Sequence, residues 1–246
     1  MTTPTPEQRE AVRHRPASFS VGHQRWSNLL FAHWEVVPAE VQATLPPGLF
    51  CDTYEGKAYV GIVPFFMERI RPALLPPLPW LSWFLELNVR TYVYDEKGRP
   101  GVWFYSLDCN QPIAVKIARR LFHLPYFNAR MTARRIGGVI DYYCQRHGSR
   151  EARYRWATDG DTRLAIPGSL EFFLLERYAL FTAKANGGIY TGRVYHEPYR
   201  YLATKAEVIS TEPASRAGFA FKNDPCSLLT VKSVDVEIFK LEKVQT

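Results

Sequence analysis

Apolar and polar residues alternate along Leu85–Tyr94: Leu85, Leu87, Val89, Thr91 and Val93 fall on one face, and Glu86, Asn88, Arg90, Tyr92 and Tyr94 on the other. A period of two is the mark of a strand. Asp95-Glu96-Lys97-Gly98 then turns the chain into Val102–Leu107, so the segment predicts a β-hairpin. Further strands are expected over Lys57–Ile70, with a bend at Pro64, and over Ile189–His196 and Lys205–Ile209. Residues 128–158 read as an antiparallel run broken at Gly137-Gly138 and His147-Gly148-Ser149, and Leu228–Val244 holds a closing strand.

Three segments carry helical spacing. Pro38 opens a short helix to Leu45, which Pro46-Pro47-Gly48 ends. Pro112–His123 places Ala114, Ile117, Ala118, Leu121 and Phe122 on an apolar stripe expected to face the core. Ser169–Tyr178 forms the third, with Ser169 as its cap. Arg71–Trp83 holds Pro72, Pro76, Pro77 and Pro79 among Leu and Trp, which excludes a central strand and suggests a loop at a pocket rim or subunit contact. Residues 1–20 read as an arm, and 21–246 as a single domain with no internal linker. Many short strands with two or three helices predict an α+β, mostly antiparallel fold.

Charge changes the picture in one region. The chain carries a net +7, and ten Lys and Arg residues between Lys116 and Arg155 face only Asp141 and Glu151. Such a surplus attracts nucleic acid, anionic lipid or an anionic metabolite, or else is a solvated face paired with acids elsewhere. No nucleic-acid motif accompanies it, so no specific nucleic-acid partner is expected. Cys51, Cys109, Cys144 and Cys226 form no C-x-x-C pair, which excludes a zinc-ribbon pattern and suggests reduced thiols. Glycine-rich phosphate loops, a G-x-S-x-G elbow and H-E-x-x-H are all missing, so neither a cofactor nor a metal is expected. No apolar run approaches the ~20 residues that span a bilayer, and no membrane partner is expected. Met1–Arg15 lacks a secretory apolar core, and the expected location is the cytoplasm.

Four strings carry a family resemblance: Leu30-Phe31-Ala32-His33-Trp34-Glu35-Val36-Val37-Pro38, Leu45-Pro46-Pro47-Gly48-Leu49, Glu86-Leu87-Asn88-Val89-Arg90-Thr91-Tyr92, and Leu124-Pro125-Tyr126-Phe127-Asn128-Ala129-Arg130-Met131. Together they resemble the uncharacterised bacterial DUF2071 (YqjF-like) family, which is grouped structurally with acetoacetate decarboxylase. His196-Glu197-Pro198-Tyr199 and Glu176-Arg177-Tyr178 resemble recurring pieces of the same family. The resemblance runs from about Trp26 to His196. It implies a partly closed β-barrel around a cavity that holds one small ligand. The decarboxylases work through a Schiff-base lysine, one of a pair after a Gly-aromatic-Pro turn; the matching positions here are Tyr126 and Phe127. A glutamate lines the decarboxylase site from a similar strand, and Glu86 matches it.

Glu86 as acid or base and Tyr126 as proton partner are therefore the candidate catalytic groups. Arg90, Asn88, His196 and Arg130 are candidate ligand contacts. Each has a structural alternative. Glu86 and Arg90 also fit a buried ion pair or a polar outer face, and Tyr126 fits plain packing after a proline. Arg130 faces either the pocket or an acid such as Glu176. His33 and His196 fit hydrogen-bonded structural histidines, or metal ligands beside Glu86 or Glu35. Lys116 and Lys184 read as surface lysines. The expected function is binding of a small, anionic organic molecule in a central cavity. The alternatives are an enzyme acting on a keto acid or related carbonyl compound without a Schiff base, and an interaction protein using its basic face. By family analogy a homo-oligomer is expected, with residues 72–83 as its contact.

Overall fold

A computed structural model describes residues 3–184 and 187–244. Its elements, in chain order, begin with α1 (Pro6–Ala11), β1 (Gly22–Val36), α2 (Pro38–Gln42), β2 (Leu49–Cys51), β3 (Ala58–Pro72), β4 (Phe84–Asp95) and β5 (Pro100–Cys109). Then come α3 (Pro112–Leu121), β6 (Tyr126–Ile136), β7 (Val139–Arg146), β8 (Ala152–Ala157), β9 (Arg163–Leu164), α4 (Leu170–Leu175) and β10 (Ala179–Ala183). The last are β11 (Ile189–His196), β12 (Arg200–Ala203), β13 (Ala206–Ile209), α5 (Glu212–Arg216), β14 (Ser227–Ile238) and β15 (Glu242–Lys243). The fold is α+β with mostly antiparallel pairing, as the alternation predicts. Both short helices that the periodicity does not reveal, α1 and α5, span two turns at most. The first still carries a readable start signal, a capping box between Thr5 and Gln8.

Strands β4-β5-β10-β11-β14-β1-β3 pair in sequence, and β3 pairs back to β4, which closes a ring. β5 makes closure possible. One of its edges takes β4, while the other is shared between β10, opposite Val102 and Trp103, and β6, opposite Leu107 to Cys109. From β6 the sheet leaves the ring as a wing, β6-β7-β8-β13, that folds over the outside.

This arrangement buries β4 completely, on both faces. Leu85, Leu87 and Val89 pack outward with Leu30, Ala32, Val60 and Ile62 against Ile140, Tyr142, Tyr154 and Trp156 of the wing. The opposite face of the same strands joins Leu29, Phe31, Val63, Phe65, Met67 and Phe84 to residues of β5, β12, β14, α3 and α4, inside the ring. Glu86, Asn88 and Arg90 lie on that inner face.

Pro64 sits within β3, between two neighbouring strands. The β1–β3 ladder is interrupted there: it skips from Ser27–Phe66 to Ala32–Ile62, leaving four β1 residues against three. Asn28 in this bulge takes a φ of 48°, a value asparagine tolerates. A residue without an N–H is accommodated where the ladder is already broken.

The α3 stripe comes out differently from its expected orientation. Val115 is the residue fully buried, with Ala114, Ala118 and Phe122 half-buried beside it. Ile117 and Leu121 point outward, 44% and 64% exposed. Helical spacing fixes which residues share a stripe but not which of two adjoining apolar stripes meets the core.

The N-terminal arm is held to the ring by charge. Arg9 grips buried Asp52 with two nitrogens at 2.6 Å, and Arg177 reaches the same carboxylate at 2.8 Å. Gln8 and the carbonyls of Val12 and His14 bond to Lys97 and Arg193. Asp52→Asn removes the counter-charge of two guanidinium groups, one of them buried. We expect a loss of about 3–5 kcal/mol, measured by urea unfolding; a loss below about 1 kcal/mol contradicts the role assigned to Asp52.

Candidate functional site

Alternation along β4 places Glu86, Asn88 and Arg90 in a row, and the ring turns that row inward. They retain 3%, 6% and 8% of their surface. Tyr92 continues the row and is fully buried.

At one end, Glu86 meets Tyr126. α3 ends at Leu121, and Leu124-Pro125 steers the chain into β6 alongside β5, with the Leu107 N–H donating to Pro125 O. Arg119 Nε donates to the Tyr126 carbonyl at 2.6 Å. The phenol, so fixed, donates to Glu86 Oε2 at 2.8 Å. Burial pushes the Glu86 carboxyl up to about 8, against the lowering effect of that hydrogen bond. The phenol itself is raised well above its ordinary value, by burial first and then by Glu86. Near neutral pH the pair is therefore mostly a carboxylic acid and a phenol, two neutral proton carriers in contact. Phe127 turns the other way and lies 3.8 Å from the Arg146 guanidinium.

At the other end, Arg90 reaches the C-terminus of α4. Its Nη2 donates to Leu174 O at 3.1 Å and contacts Tyr92 Oη at 3.4 Å. The guanidinium stacks over Phe31 and Tyr92 at 5.2 and 5.6 Å. Carbonyls at a helix end lack intrahelical partners and favour a cation. Among the described residues no carboxylate pairs with Arg90, and its Nε has no partner.

Two neutral histidines flank it. Tyr92 Oη donates to Leu174 O at 2.8 Å, so it accepts from His33 Nε2 at 2.6 Å, which fixes the His33 tautomer. Burial first, then Arg90, holds His33 well below its ordinary value. The ring fits because position 61 is glycine: a Cβ there would lie 2.9 Å from His33 Cδ2. His196 ends β11 before Glu197-Pro198, and its Nδ1 donates to Glu197 O at 2.8 Å. It lies between Tyr178 and Tyr199, with ring centroids 4.4 and 4.3 Å away, and burial lowers its pKa to about 4. The unprotonated nitrogens, His33 Nδ1 and His196 Nε2, have no partners, nor do Asn88 Oδ1 and Trp26 Nε1.

Five of the six candidate side chains thus line the inner face. Arg130 does not: it is exposed on β6 opposite Gln145, beyond Asn128 where the pairing with β5 ends. Tyr126 and Arg130 share a face by period-two spacing, but β6 has left the ring by Arg130. Glu176 has other partners than Arg130, namely Tyr178, the Tyr199 N–H and Arg13. Tyr92, Phe31, Trp26 and Gly61 complete the surroundings. Tyr92 was legible from the alternation; the others had no signal in the sequence. Among the described residues no group of three His, Cys, Asp or Glu side chains is placed to hold a metal.

Four arginines of the basic stretch pair with acids. Arg146 binds Asp108, Arg150 Glu212, Arg153 Glu151 and Arg155 Glu207, while Arg135 donates to Asn28 Oδ1. Among the described residues no helix is long and apolar enough to cross a membrane.

Residues 23–235 match the model of the DUF2071 family, described as an uncharacterized conserved protein. The chain belongs to that family. It is 35% identical over 230 residues to the uncharacterized protein YqjF of Bacillus subtilis (strain 168), covering 93% of this chain and 94% of YqjF. Among solved structures it is similar to an acetoacetate decarboxylase-like enzyme from Sphingomonas wittichii RW1, with a TM-score of 0.64 and 15% identity over 93% and 95% of the two chains. The acetoacetate decarboxylase of Legionella pneumophila aligns with a TM-score of 0.65 and 13% identity over 94% and 92%. The enduracididine biosynthesis enzyme MppR, complexed with pyruvate, aligns with 0.64 and 13% over 94% and 93%. These likenesses establish an acetoacetate decarboxylase-like fold.

The Glu86 shift has a consequence for stability. Its carboxyl titrates near 8 when folded and near 4.5 when unfolded. Between those values the unfolded chain releases a proton that the folded chain keeps, so this contribution to stability is fully present below 4.5 and lost as pH rises through 8. Glu86→Gln abolishes the loss. Urea unfolding at pH 5 and pH 9 is expected to show the variant gaining on the wild type by a few kcal/mol. A difference independent of pH places the carboxyl at its ordinary value.

Proposed function

We propose that the protein binds a small organic anion inside the ring, with Arg90 as the group that takes its carboxylate. One observation carries this reading: Arg90 is buried without a carboxylate partner among the described residues, while Glu86, on the same face, is mostly protonated. A buried charge is costly unless paired, and the Leu174 carbonyl offsets only part of it. An anionic ligand supplies the missing charge. The unpartnered Asn88 Oδ1, His33 Nδ1 and His196 Nε2 accept hydrogen bonds, and Trp26 Nε1 donates. A neighbour of the same fold, MppR, is complexed with pyruvate, which makes short carboxylic acids the first class to try.

Titration calorimetry with a panel of such acids, pyruvate included, tests this. Arg90→Gln is expected to weaken whichever acid binds by roughly tenfold to hundredfold, the worth of a charge-assisted hydrogen bond. Unchanged affinity removes Arg90 from the site.

A second reading rests on the Glu86–Tyr126 pair. An acid titrating near 8 beside a phenol suits proton transfer at a carbon next to a carbonyl. None of the nine lysines is fully buried; Lys57 pairs with Glu35, and Lys184 lies over Tyr190. This supports chemistry without a Schiff base. Proton exchange of keto acids into deuterated water, followed by NMR, is expected to need Glu86. Borohydride is expected to trap no adduct by intact mass. Exchange that survives Glu86→Gln, or a trapped lysine, ends this reading.

A further inference from the structure

The outward side of α3 and the adjoining proline loop expose large apolar side chains together. Ile113 and Ile117 are each 44% exposed and Leu121 is 64% exposed, at i, i+4 and i+8 on the helix apex opposite buried Val115. Trp80 and Trp83 stand out of the loop beside them, 64% and 43% exposed. Gln111, which caps α3, ties the two segments by donating from Nε2 to Trp80 O at 3.0 Å. Arg71 holds the root of the loop through the carbonyls of Ala73 and Leu75. Isolated apolar side chains on a surface need no explanation, but a contiguous set of this size marks a contact.

The charges around this set select its partner. Residues 73–83 and 110–124 contain no Asp or Glu, whereas Lys116 and Arg120 flank the apolar apex of α3 and are exposed. Arg146, Arg150, Arg153 and Arg155, further along the basic stretch, have acidic partners; these two flanking cations have none among the described residues. Two copies of the helix packed antiparallel about a two-fold axis would bring the same flank of each together, setting Lys116 and Arg120 against their own equivalents. That disfavours a second copy of this chain. Apolar side chains at the apex, tryptophans alongside and cations on the flank suit the boundary of an anionic bilayer instead. There the apolar groups enter the acyl region and the ammonium and guanidinium groups reach lipid phosphates.

The geometry points to α3 and residues 78–83 as a face that rests on an anionic lipid surface. The contact is peripheral, lying on the bilayer and not crossing it.

The test is flotation of the full chain with vesicles of phosphatidylcholine alone or mixed with phosphatidylglycerol, at low and high salt. The expected result is binding to the mixed vesicles only, weakened by salt, with a blue shift of tryptophan fluorescence that Trp80→Ala diminishes. Lys116→Gln with Arg120→Gln is expected to lower partitioning about thirtyfold, from the per-charge worth near such a surface. Ile117→Glu is expected to abolish it, with thermal unfolding confirming the fold of each variant. Failure to bind mixed vesicles, or equal binding to neutral ones, overturns the assignment. A dimer seen by sedimentation and dissociated by Ile117→Glu overturns it too, and gives the face to a second copy.

Discussion

The burial of β4 on both faces is the constraint from which the rest follows. A strand in an antiparallel sheet usually shows one face to water, and its polar residues stay hydrated there. Here the wing covers one face and the ring encloses the other. The polar row Glu86, Asn88, Arg90, Tyr92 is thereby taken out of water, and each member must be neutralised, bonded or left in want of a partner. Glu86 is neutralised by keeping its proton and bonded by Tyr126. Tyr92 is bonded by His33 and Leu174. Arg90 and Asn88 keep unpaired atoms.

Two other buried carboxylates are treated in the opposite way. Asp52 is held by Arg9 and Arg177, and Asp108 by Arg146 and Arg216, two cations to each acid. Those clusters are bonded through and serve structure: one fastens the N-terminal arm, the other joins the wing to β5. The contrast gives the inner row its meaning. A chain that gives Asp52 and Asp108 two cations each leaves the buried guanidinium of Arg90 beside aromatic rings and neutral imidazoles.

The sequence was most legible where one periodicity served one environment. The hairpin of β4 and β5, the wing strands with their glycine breaks and the Ser169 cap all appear where alternation and punctuation put them. The inner row was legible too, because period-two spacing puts Glu86, Asn88 and Arg90 together whatever the tertiary fold. Which side of the sheet they would face was not, since both sides of β4 are buried and hydropathy alone does not rank two interiors. Arg130 shows the same limit: a string next to Tyr126 in sequence departs from it in space once β6 leaves the ring. The orientation of α3 was lost because Ile113, Ile117 and Leu121 compete with Ala114, Val115 and Ala118 for the core, and the smaller set fits closer to β5 and β6. Gly61 gave no sign, for nothing local announces that His33 needs the space of its missing Cβ.

The two readings of the inner site ask different things of a ligand. Arg90 lies four steps along the strand from Glu86, about 13 Å of backbone. A pyruvate-sized acid whose carboxylate rests on Arg90 meets the unpaired Asn88 Oδ1 before it meets Glu86. Binding therefore requires only the Arg90 end, where the charge is. Proton transfer requires the ligand's reactive carbon to reach the Glu86–Tyr126 pair, either through convergence of the two long side chains or through a longer molecule. The Leu174 carbonyl holds Arg90 toward α4 in this structure, which favours length. A ligand that both satisfies Arg90 and uses the raised acidity of Glu86 is thus an extended acid with its carbonyl remote from the carboxylate, whereas one that uses Arg90 alone has no such restriction.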